Sequence, residues 1–234
     1  MNMFRIKLIA VISMLIDHFG LFFYPDSFVL HVAGRLAFPL FAWLIANGAR
    51  YTHDIDAYLR RLFIFAVISQ IPYYFGYSLS GHFQWFFNVL FTLFFGLLAI
   101  RLIQMTPRKS LWLAATLVCA ALACAFNTDY GATGVISIVA FYLCFDNVLS
   151  MAVSQALILG IAPLASYAVS LQYHLPIYRF YYADTFEIYG LLALVVIYLY
   201  NHKRGPRIQY FFYWFFPLQN IAILILSLVV PRGF

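Results

Sequence analysis

The chain has 234 residues, of which 65% are hydrophobic and only 9% are charged. Soluble domains carry roughly 25% charged residues, so this composition excludes an ordinary soluble protein. The formal net charge of +6 would also suit a nucleic-acid binder, but basic loops facing the cytoplasm explain it in a membrane protein, and we predict no nucleic-acid partner.

Apolar runs of about 20 residues recur along the chain and predict transmembrane helices. In chain order, the predicted spans cover residues 5–24, 28–49, 59–78, 84–103, 110–126, 130–145, 148–171, 185–201 and 208–230. The first run has no small-residue cleavage site, which argues against a removable signal peptide. With no repeat or linker visible, the sequence predicts one all-α domain over residues 1–234, a polytopic integral membrane bundle of about nine helices.

The distribution of Lys and Arg predicts an N-in, C-out orientation. With the N-terminus in the cytoplasm, Arg179 and Arg232 fall on the outer side and Arg35 lies within a span. The other eleven of the fourteen basic residues fall in cytoplasmic segments: Arg5, Lys7, Arg50, Arg60, Arg61, Arg101, Arg108, Lys109, Lys203, Arg204 and Arg207. This orientation requires an odd number of spans, which nine satisfies.

Asp17 and His18 lie deep inside the first apolar run, KLIAVISMLIDHFG (residues 7–20). At about 1.5 Å per residue they are about 18–20 Å from the inner end of the span, and Arg35 reaches a similar depth in the second span. Charged groups in hydrocarbon cost at least about 2.5–3.5 kcal/mol and are usually paired. We therefore predict an Asp17–Arg35 ion pair, with His18 as the acid or base because imidazole titrates near neutrality. The alternative is a structural lock in which His18 only bonds a backbone carbonyl.

Polar residues of other spans fall in the same outer layer as His18. They are Gln70, Asn88, Thr92, Asp129, Tyr130 and Glu187. Gln219 and Asn220 lie in the middle of the last span, where amide groups need partners. Apart from Glu187, we predict that these residues line a substrate cavity.

Basic residues at the inner face predict a second site, for an anionic ligand. Lys7 and His18 share a helix face about 16 Å apart, which suits a long ligand with an anionic head at the cytoplasmic rim. Asn47, Arg50, Arg60 and Arg61 lie at the same inner face and could grip phosphates. The alternatives are a lysine that merely snorkels and an ordinary basic loop.

Metal chemistry and the common soluble catalytic motifs have no support in the sequence. The three cysteines, Cys119, Cys124 and Cys144, lie inside apolar runs and lack metal-ligand spacing. P-loop, G-x-S-x-G and H-E-x-x-H patterns are absent. We predict no bound metal.

Several motifs together resemble the TraX family, which is named for the F-pilin acetylation protein of conjugative plasmids. They are KLIAVISMLIDHFG (7–20), GRLAFPLFAWLIANG (34–48), RLFIFAVISQIP (61–72), NVLFTLFFG (88–96) and DYGATGV (129–135), with a further match near 210–226. The Lys7-x10-His18 spacing is also similar to a basic-x10-His pattern of acyltransferase-3-type membrane proteins.

The resemblance implies acetyl transfer at the bacterial inner membrane from cytosolic acetyl-CoA to the N-terminal amine of a pilin or another periplasm-facing acceptor. It implies His18 as catalytic base, Asp17 and Arg35 as its support, and Lys7 as a contact to acetyl-CoA. Family members often carry a histidine in the last span, in a pattern like Y-P-x-H. Here FPLQN (216–220) offers Gln219 or Asn220 instead.

The predicted function is therefore a membrane-embedded acetyl-CoA-dependent N- or O-acetyltransferase. The acyl group would move directly or through a brief acyl-imidazole. Two alternatives remain open at this point: a proton-linked small-solute transporter that uses the charged cluster as a relay, and a non-catalytic pilin assembly factor.

Overall fold

The apolar runs fold into helices over nearly the predicted bounds. The computed structural model describes residues 1–79, 86–172, 185–206 and 209–229. Its helices are α1 (Met3–Phe23), α2 (Phe28–Gly34), α3 (Ala37–Tyr51), α4 (Ile55–Leu79), α5 (Val89–Gln104), α6 (Lys109–Ala125), α7 (Gly131–Leu143), α8 (Val148–Gln172), a 3₁₀ helix (Thr185–Leu192) that continues into α9 (Ala193–Tyr198), and α10 (Gln209–Val229). Apart from an isolated bridge between Phe87 and Thr128, the described residues form no β-structure, so the all-α prediction is confirmed.

Some predictions concern residues that the structure does not describe. They are the positions of Arg179, Arg207 and Arg232, and the span ends predicted at residues 84, 208 and 230.

The second predicted span is broken between α2 and α3. Arg35 and Leu36 form a turn at this point, three residues before Pro39. Proline has no N–H to bond the carbonyl of Arg35 four residues earlier, and its ring crowds that carbonyl. The break places the Arg35 side chain at a helix junction rather than on a continuous helical face.

Two segments of the described chain are long and apolar enough to cross a membrane by length and composition. They are Met3–Phe23 and Phe28–Tyr51, the latter counted through its turn. Among the other apolar helices, α5, α6 and α7 have 16, 17 and 13 residues, whereas a bilayer requires about 20 residues. Within the described residues, length and composition taken together thus support two of the nine predicted crossings.

The core lies around α3 and α5. Eleven residues of α3 are buried, and Trp43 is among the largest fully buried side chains. Gly96 of α5 contacts Ile138 so closely that a Cβ on Gly96 would overlap that side chain, and Gly134 of α7 contacts Thr92 in the same way. Small residues at helix crossings let backbones approach, a common device in membrane bundles.

The first and last helices, α1 and α10, pack side by side in the same direction. The ammonium group of Lys7 lies 5.3 Å from the ring centre of Phe212, and His18 contacts Gln219 about three turns further along α1 and two turns further along α10. The contact between α1 and α10 runs from Lys7 and Phe212 to His18 and Gln219, and we call this contact the α1–α10 seam. Lys7 and His18 lie at its opposite ends.

Candidate functional site

His18 is buried between α1 and α10 and is held by two partners at one ring nitrogen. Its Nδ1 lies 2.9 Å from the carbonyl oxygen of Met14, one turn earlier on α1. The amide of Gln219 on α10 lies 2.7 Å from the same nitrogen. The ring of Phe216 packs edge-on against the imidazole, with the ring centres 6.2 Å apart.

The contact to Met14 selects one tautomer of His18. A carbonyl oxygen only accepts, so this contact requires N–H at Nδ1. The Gln219 atom nearest to Nδ1 is the amide nitrogen Nε2, which only donates, so both contacts are satisfied together when the Gln219 amide is rotated by a half-turn and its oxygen faces the ring. Nε2 of His18 is then unprotonated and is the nitrogen that can take a proton.

Asp17 and Arg35 form the ion pair that the sequence predicts. Nη2 of Arg35 lies 3.5 Å from Oδ1 of Asp17, and both side chains are about four-fifths buried. Oδ1 of Asp17 and Nε of Arg35 nevertheless make no hydrogen bond. Buried polar atoms are nearly always bonded, so this pair has capacity left for a further partner.

Gly34 brings α2 into direct contact with Asp17, and the sequence reasoning did not identify it. A Cβ on Gly34 would lie 2.5 Å from Cβ and 2.7 Å from Cα of Asp17. The close approach places Arg35, the next residue, beside the carboxylate. The sequence signal was the glycine preceding a membrane-depth arginine in GRLAFP.

Acidic groups outnumber basic groups around Arg35. Asp129, in the loop before α7, is exposed to solvent and lies within electrostatic range of His18, Asp17 and Arg35. Glu187 of the 3₁₀ helix also interacts with the Arg35 charge. Among the described residues, three carboxylates therefore lie within electrostatic range of one guanidinium group. This excess of negative charge favours a cationic ligand, such as an ammonium group.

Tyr130 and Thr92 position the loop that carries Asp129. The Tyr130 ring stacks on Phe38 of α3 at 3.7 Å between centres, and its backbone N–H donates to Oγ1 of Thr92 at 3.4 Å. Thr92 is fully buried, so it supports the site without facing an open cavity.

Gln70 and Asn88, both predicted to bind substrate, are bonded to each other and to backbone. Oε1 of Gln70 accepts from the side chain and backbone N–H of Asn88, at 2.8 and 2.9 Å, and its Nε2 donates to the carbonyl of Phe86. Asn88 also donates to the carbonyl of Ala66 and caps α5 by accepting from Leu90 N–H. Such a network favours a structural brace over a binding site.

Replacing Asn88 with alanine tests this structural assignment. Loss of the cap costs about 1 kcal/mol, and loss of the side-chain hydrogen bonds from Asn88 to Gln70 and to the carbonyl of Ala66 adds to it. We expect a lower melting temperature in detergent, with an unchanged KM for any acceptor that the protein proves to use. A raised acceptor KM without loss of stability would show that Asn88 binds substrate.

Asn220 bonds its own helix, while Gln219 faces His18. The side-chain amide of Asn220 donates to the carbonyl of Phe216 one turn earlier, at 3.0 Å. Of the two amides predicted to line the cavity, only Gln219 therefore joins the His18 cluster in the described structure.

Several of the polar groups predicted to lie at the cytoplasmic face have unused hydrogen-bonding capacity. Lys7 lies over the Phe212 ring, and Oδ1 of Asn47 and Nε of Arg61 are buried without hydrogen-bond partners. Arg60 is exposed. These are groups that could hold the phosphates and adenine-side polar atoms of acetyl-CoA, so the residues present fit that donor.

Arg50, also predicted to bind a phosphate, forms an ion pair with Asp146. Its Nη2 donates to Oδ2 of Asp146 at 2.6 Å, and its guanidinium lies over the Phe145 ring. A phosphate at Arg50 would have to displace this carboxylate. Sequence reasoning missed Asp146 as the partner because it lies 96 residues away along the chain.

Among the described residues, no group of three or more His, Cys, Asp or Glu side chains could hold a metal ion. The cluster contains a positioned imidazole, an ion pair with unused hydrogen-bonding capacity and nearby carboxylates. Groups of this kind can transfer protons and activate a nucleophile.

Comparison with known proteins gives matches over most of the chain. The model of the family described as TraX protein matches residues 3–229. The chain is 30% identical over 235 residues to a probable fimbrial assembly protein FimC, serogroup H1, of Dichelobacter nodosus, covering 94% of this chain and 93% of that protein. It is 30% identical over 172 residues to protein TraX of Escherichia coli strain K12, covering 70% of this chain and 66% of that protein. No solved structure matches.

Proposed function

The chain belongs to the TraX family, and from that premise we propose that it is a multi-pass inner-membrane acetyltransferase. The proposed donor is cytosolic acetyl-CoA, and the proposed acceptor is the N-terminal amine of a pilin-type subunit at the outer side. The relatives' names, a fimbrial assembly protein and TraX, support a role connected with pilus subunits.

Exposed apolar side chains support the multi-pass arrangement. Leu149, Val29 and Ile71, on three different helices, are 73%, 72% and 65% exposed. Soluble monomers rarely expose large contiguous apolar patches, whereas a bilayer accommodates them. The parallel packing of α1 and α10 also fits an odd number of crossings.

The observation that carries the enzymatic proposal is the environment of His18. Nδ1 is occupied by Met14 and Gln219, which leaves Nε2 available as the base, and the preceding residue, Asp17, forms the ion pair with Arg35. A histidine that only held helices together would not need a nearby ion pair with unsatisfied hydrogen-bonding atoms. Lys7, on the same helix, marks the cytoplasmic end of the seam.

The proposed reaction balances on these groups. The acceptor's ammonium group first releases one proton to water and becomes a neutral amine. Nε2 of His18 then takes a second proton from this amine as the amine nitrogen forms a bond to the thioester carbonyl carbon. The carbon–sulfur bond then breaks, and the proton passes from His18 to the departing CoA thiolate. Arg35 is available to stabilise the negative charge that develops on the carbonyl oxygen.

The acidic surround supports an amine acceptor over an anionic one. Asp17, Asp129 and Glu187 attract an ammonium group and would repel a phosphate or carboxylate. The inner end has the opposite charge, with Lys7, Arg60 and Arg61, which suits the CoA phosphates.

Transfer of label from acetyl-CoA tests the proposal directly. The purified chain in lipid vesicles is given labelled acetyl-CoA and a peptide with a free N-terminal amine, and the peptide is analysed by mass spectrometry. We expect acetylation of the amine by the chain but not by empty vesicles. Capture of the peptide without any acetylation, with or without acetyl-CoA, would favour the assembly-factor alternative instead.

Lys7→Met tests the donor site, because it keeps the apolar stem and removes the charge. We expect a KM for acetyl-CoA raised by about tenfold with kcat largely kept, since one phosphate contact is worth on the order of 1.4 kcal/mol. Lys109→Met is the matched control, an exposed lysine at the start of α6. Equal KM values in the two variants would contradict the role of Lys7.

A further inference from the structure

A recess of about 290 Å³ opens sideways between α1 and α10. It is lined by Leu15 of α1 and by six residues of α10 between Phe211 and Ala222. All lining residues are apolar except one, Gln219, whose amide reaches His18. The recess thus leads from the surface of the bundle to Gln219, the direct neighbour of the proposed catalytic base.

Exposed apolar stripes with helix-packing periodicity run along both walls of the recess. The stripe on α1 consists of Leu8, Ile12, Leu15 and Phe19, and the stripe on α10 consists of Phe211, Trp214, Leu218, Ile221 and Ile225. Both alternate steps of three and four residues, the spacing with which a helix presents one face to another helix. Two such stripes that flank a groove are suited to a third helix.

The Gln219 amide distinguishes a helix from a lipid tail as the occupant. Gln219 is only 4% exposed, and one end of its amide has no hydrogen-bond partner. Hydrocarbon cannot satisfy a polar atom, and leaving one unpaired in such surroundings is costly. An amino terminus can satisfy either end of an amide, as a donor or, once neutral, as an acceptor.

We propose that this groove binds an apolar membrane-spanning helix of the acceptor protein and thereby delivers its terminal amine to His18. This inference rests on the proposed function and adds the route by which the acceptor arrives. Most of the lining residues precede Gln219 on α10, and Phe211 lies eight residues, or about 12 Å, before it. The occupant therefore begins at Gln219 and runs antiparallel to α10, over Leu218, Trp214 and Phe211.

Site-specific photocrosslinking without acetyl-CoA tests the docking. A benzophenone amino acid replaces Leu218 in the groove or, as control, Leu113 on α6; the two leucines are 57% and 64% exposed. The full chain is placed in phosphatidylethanolamine–phosphatidylglycerol vesicles with a synthetic leucine–alanine helix of about 20 residues. Two forms of this helix are compared, one with a free amino terminus and one with an acetylated amino terminus.

We expect the free-amine helix to crosslink several-fold more at position 218 than at position 113. At position 218, we expect the acetylated helix to crosslink several-fold less than the free-amine helix. Equal yields at both positions, or no crosslinking, would overturn the inference. If a photoreactive phospholipid labels position 218 and adding the helix does not reduce this labelling, the groove binds lipid and the inference is overturned as well.

Transfer measurements separate this inference from the proposed function. Acetylation of a short soluble amine peptide without helix crosslinking at 218 would leave the acetyltransferase standing and reject lateral docking. Crosslinking at 218 with no acetylation of either substrate would retain the docking surface and reject the acetyltransferase.

Discussion

Replacement of His18 with alanine is expected to lower acetyl transfer by about 10²–10⁴-fold, the usual contribution of a positioned general base. The physical reason is that Nε2 of His18 is the free imidazole nitrogen at the site, since Nδ1 is occupied by Met14 and Gln219. The measurement is the initial rate of label transfer from acetyl-CoA in vesicles, with acetyl-CoA and acceptor saturating.

His31 supplies the matched control. It is also a buried histidine that contacts a backbone carbonyl, with its Nε2 2.7 Å from the oxygen of Pro25. We expect His31→Gln to retain transfer, whereas His18→Gln loses it despite keeping a side chain that can bond Met14 or Gln219. Comparable rates for His18→Gln and the unmodified chain would reject His18 as the base.

The second large effect is expected from Gly34→Ala, a single added methyl group. The new Cβ would overlap Cβ and the backbone of Asp17, so α1 and α2 must separate at the ion pair. Overpacking of this kind costs about 1–3 kcal/mol, and separation of Asp17 from Arg35 adds to that cost. We expect a markedly lower melting temperature in detergent, together with loss of transfer.

Gly160→Ala controls for the loss of a helical glycine. Gly160 lies within α8, and a Cβ there would meet nothing within 4 Å. Alanine is favoured over glycine in a helix by up to about 1 kcal/mol, so this variant should be neutral or slightly more stable. A Gly34→Ala protein as stable and as active as Gly160→Ala would refute the close contact between α2 and Asp17.

The family resemblance implies a histidine in the last helix where this chain has Gln219 or Asn220, and of these two residues Gln219 is the one that contacts His18. An amide beside Nδ1 can hold the His18 ring but cannot itself exchange a proton near neutrality. His18 is therefore the residue of this cluster to which we assign proton transfer in the proposed reaction. Because the amide of Gln219 cannot replace the imidazole in proton transfer, we expect the largest loss of transfer rate from substitution of His18.

The sequence alone determined the helices and the pairing of Asp17 with Arg35. Apolar runs of about 20 residues fold as helices because only then are their backbone groups bonded within the segment. The ion pair between Asp17 and Arg35 could be predicted because an isolated charge in apolar surroundings is costly, which leaves few candidate partners at matching depth.

Only the tertiary structure decided which polar residues meet. Gln219 and Asn220 are neighbours in sequence, but the rotation of α10 about its axis turns Gln219 to His18 and leaves Asn220 on its own helix. Gln70, predicted to bind substrate, accepts hydrogen bonds from Asn88, a partner that the sequence did not identify. Spacing along one helix fixes which residues share a face, whereas the partner across a helix contact depends on the packing of the whole bundle.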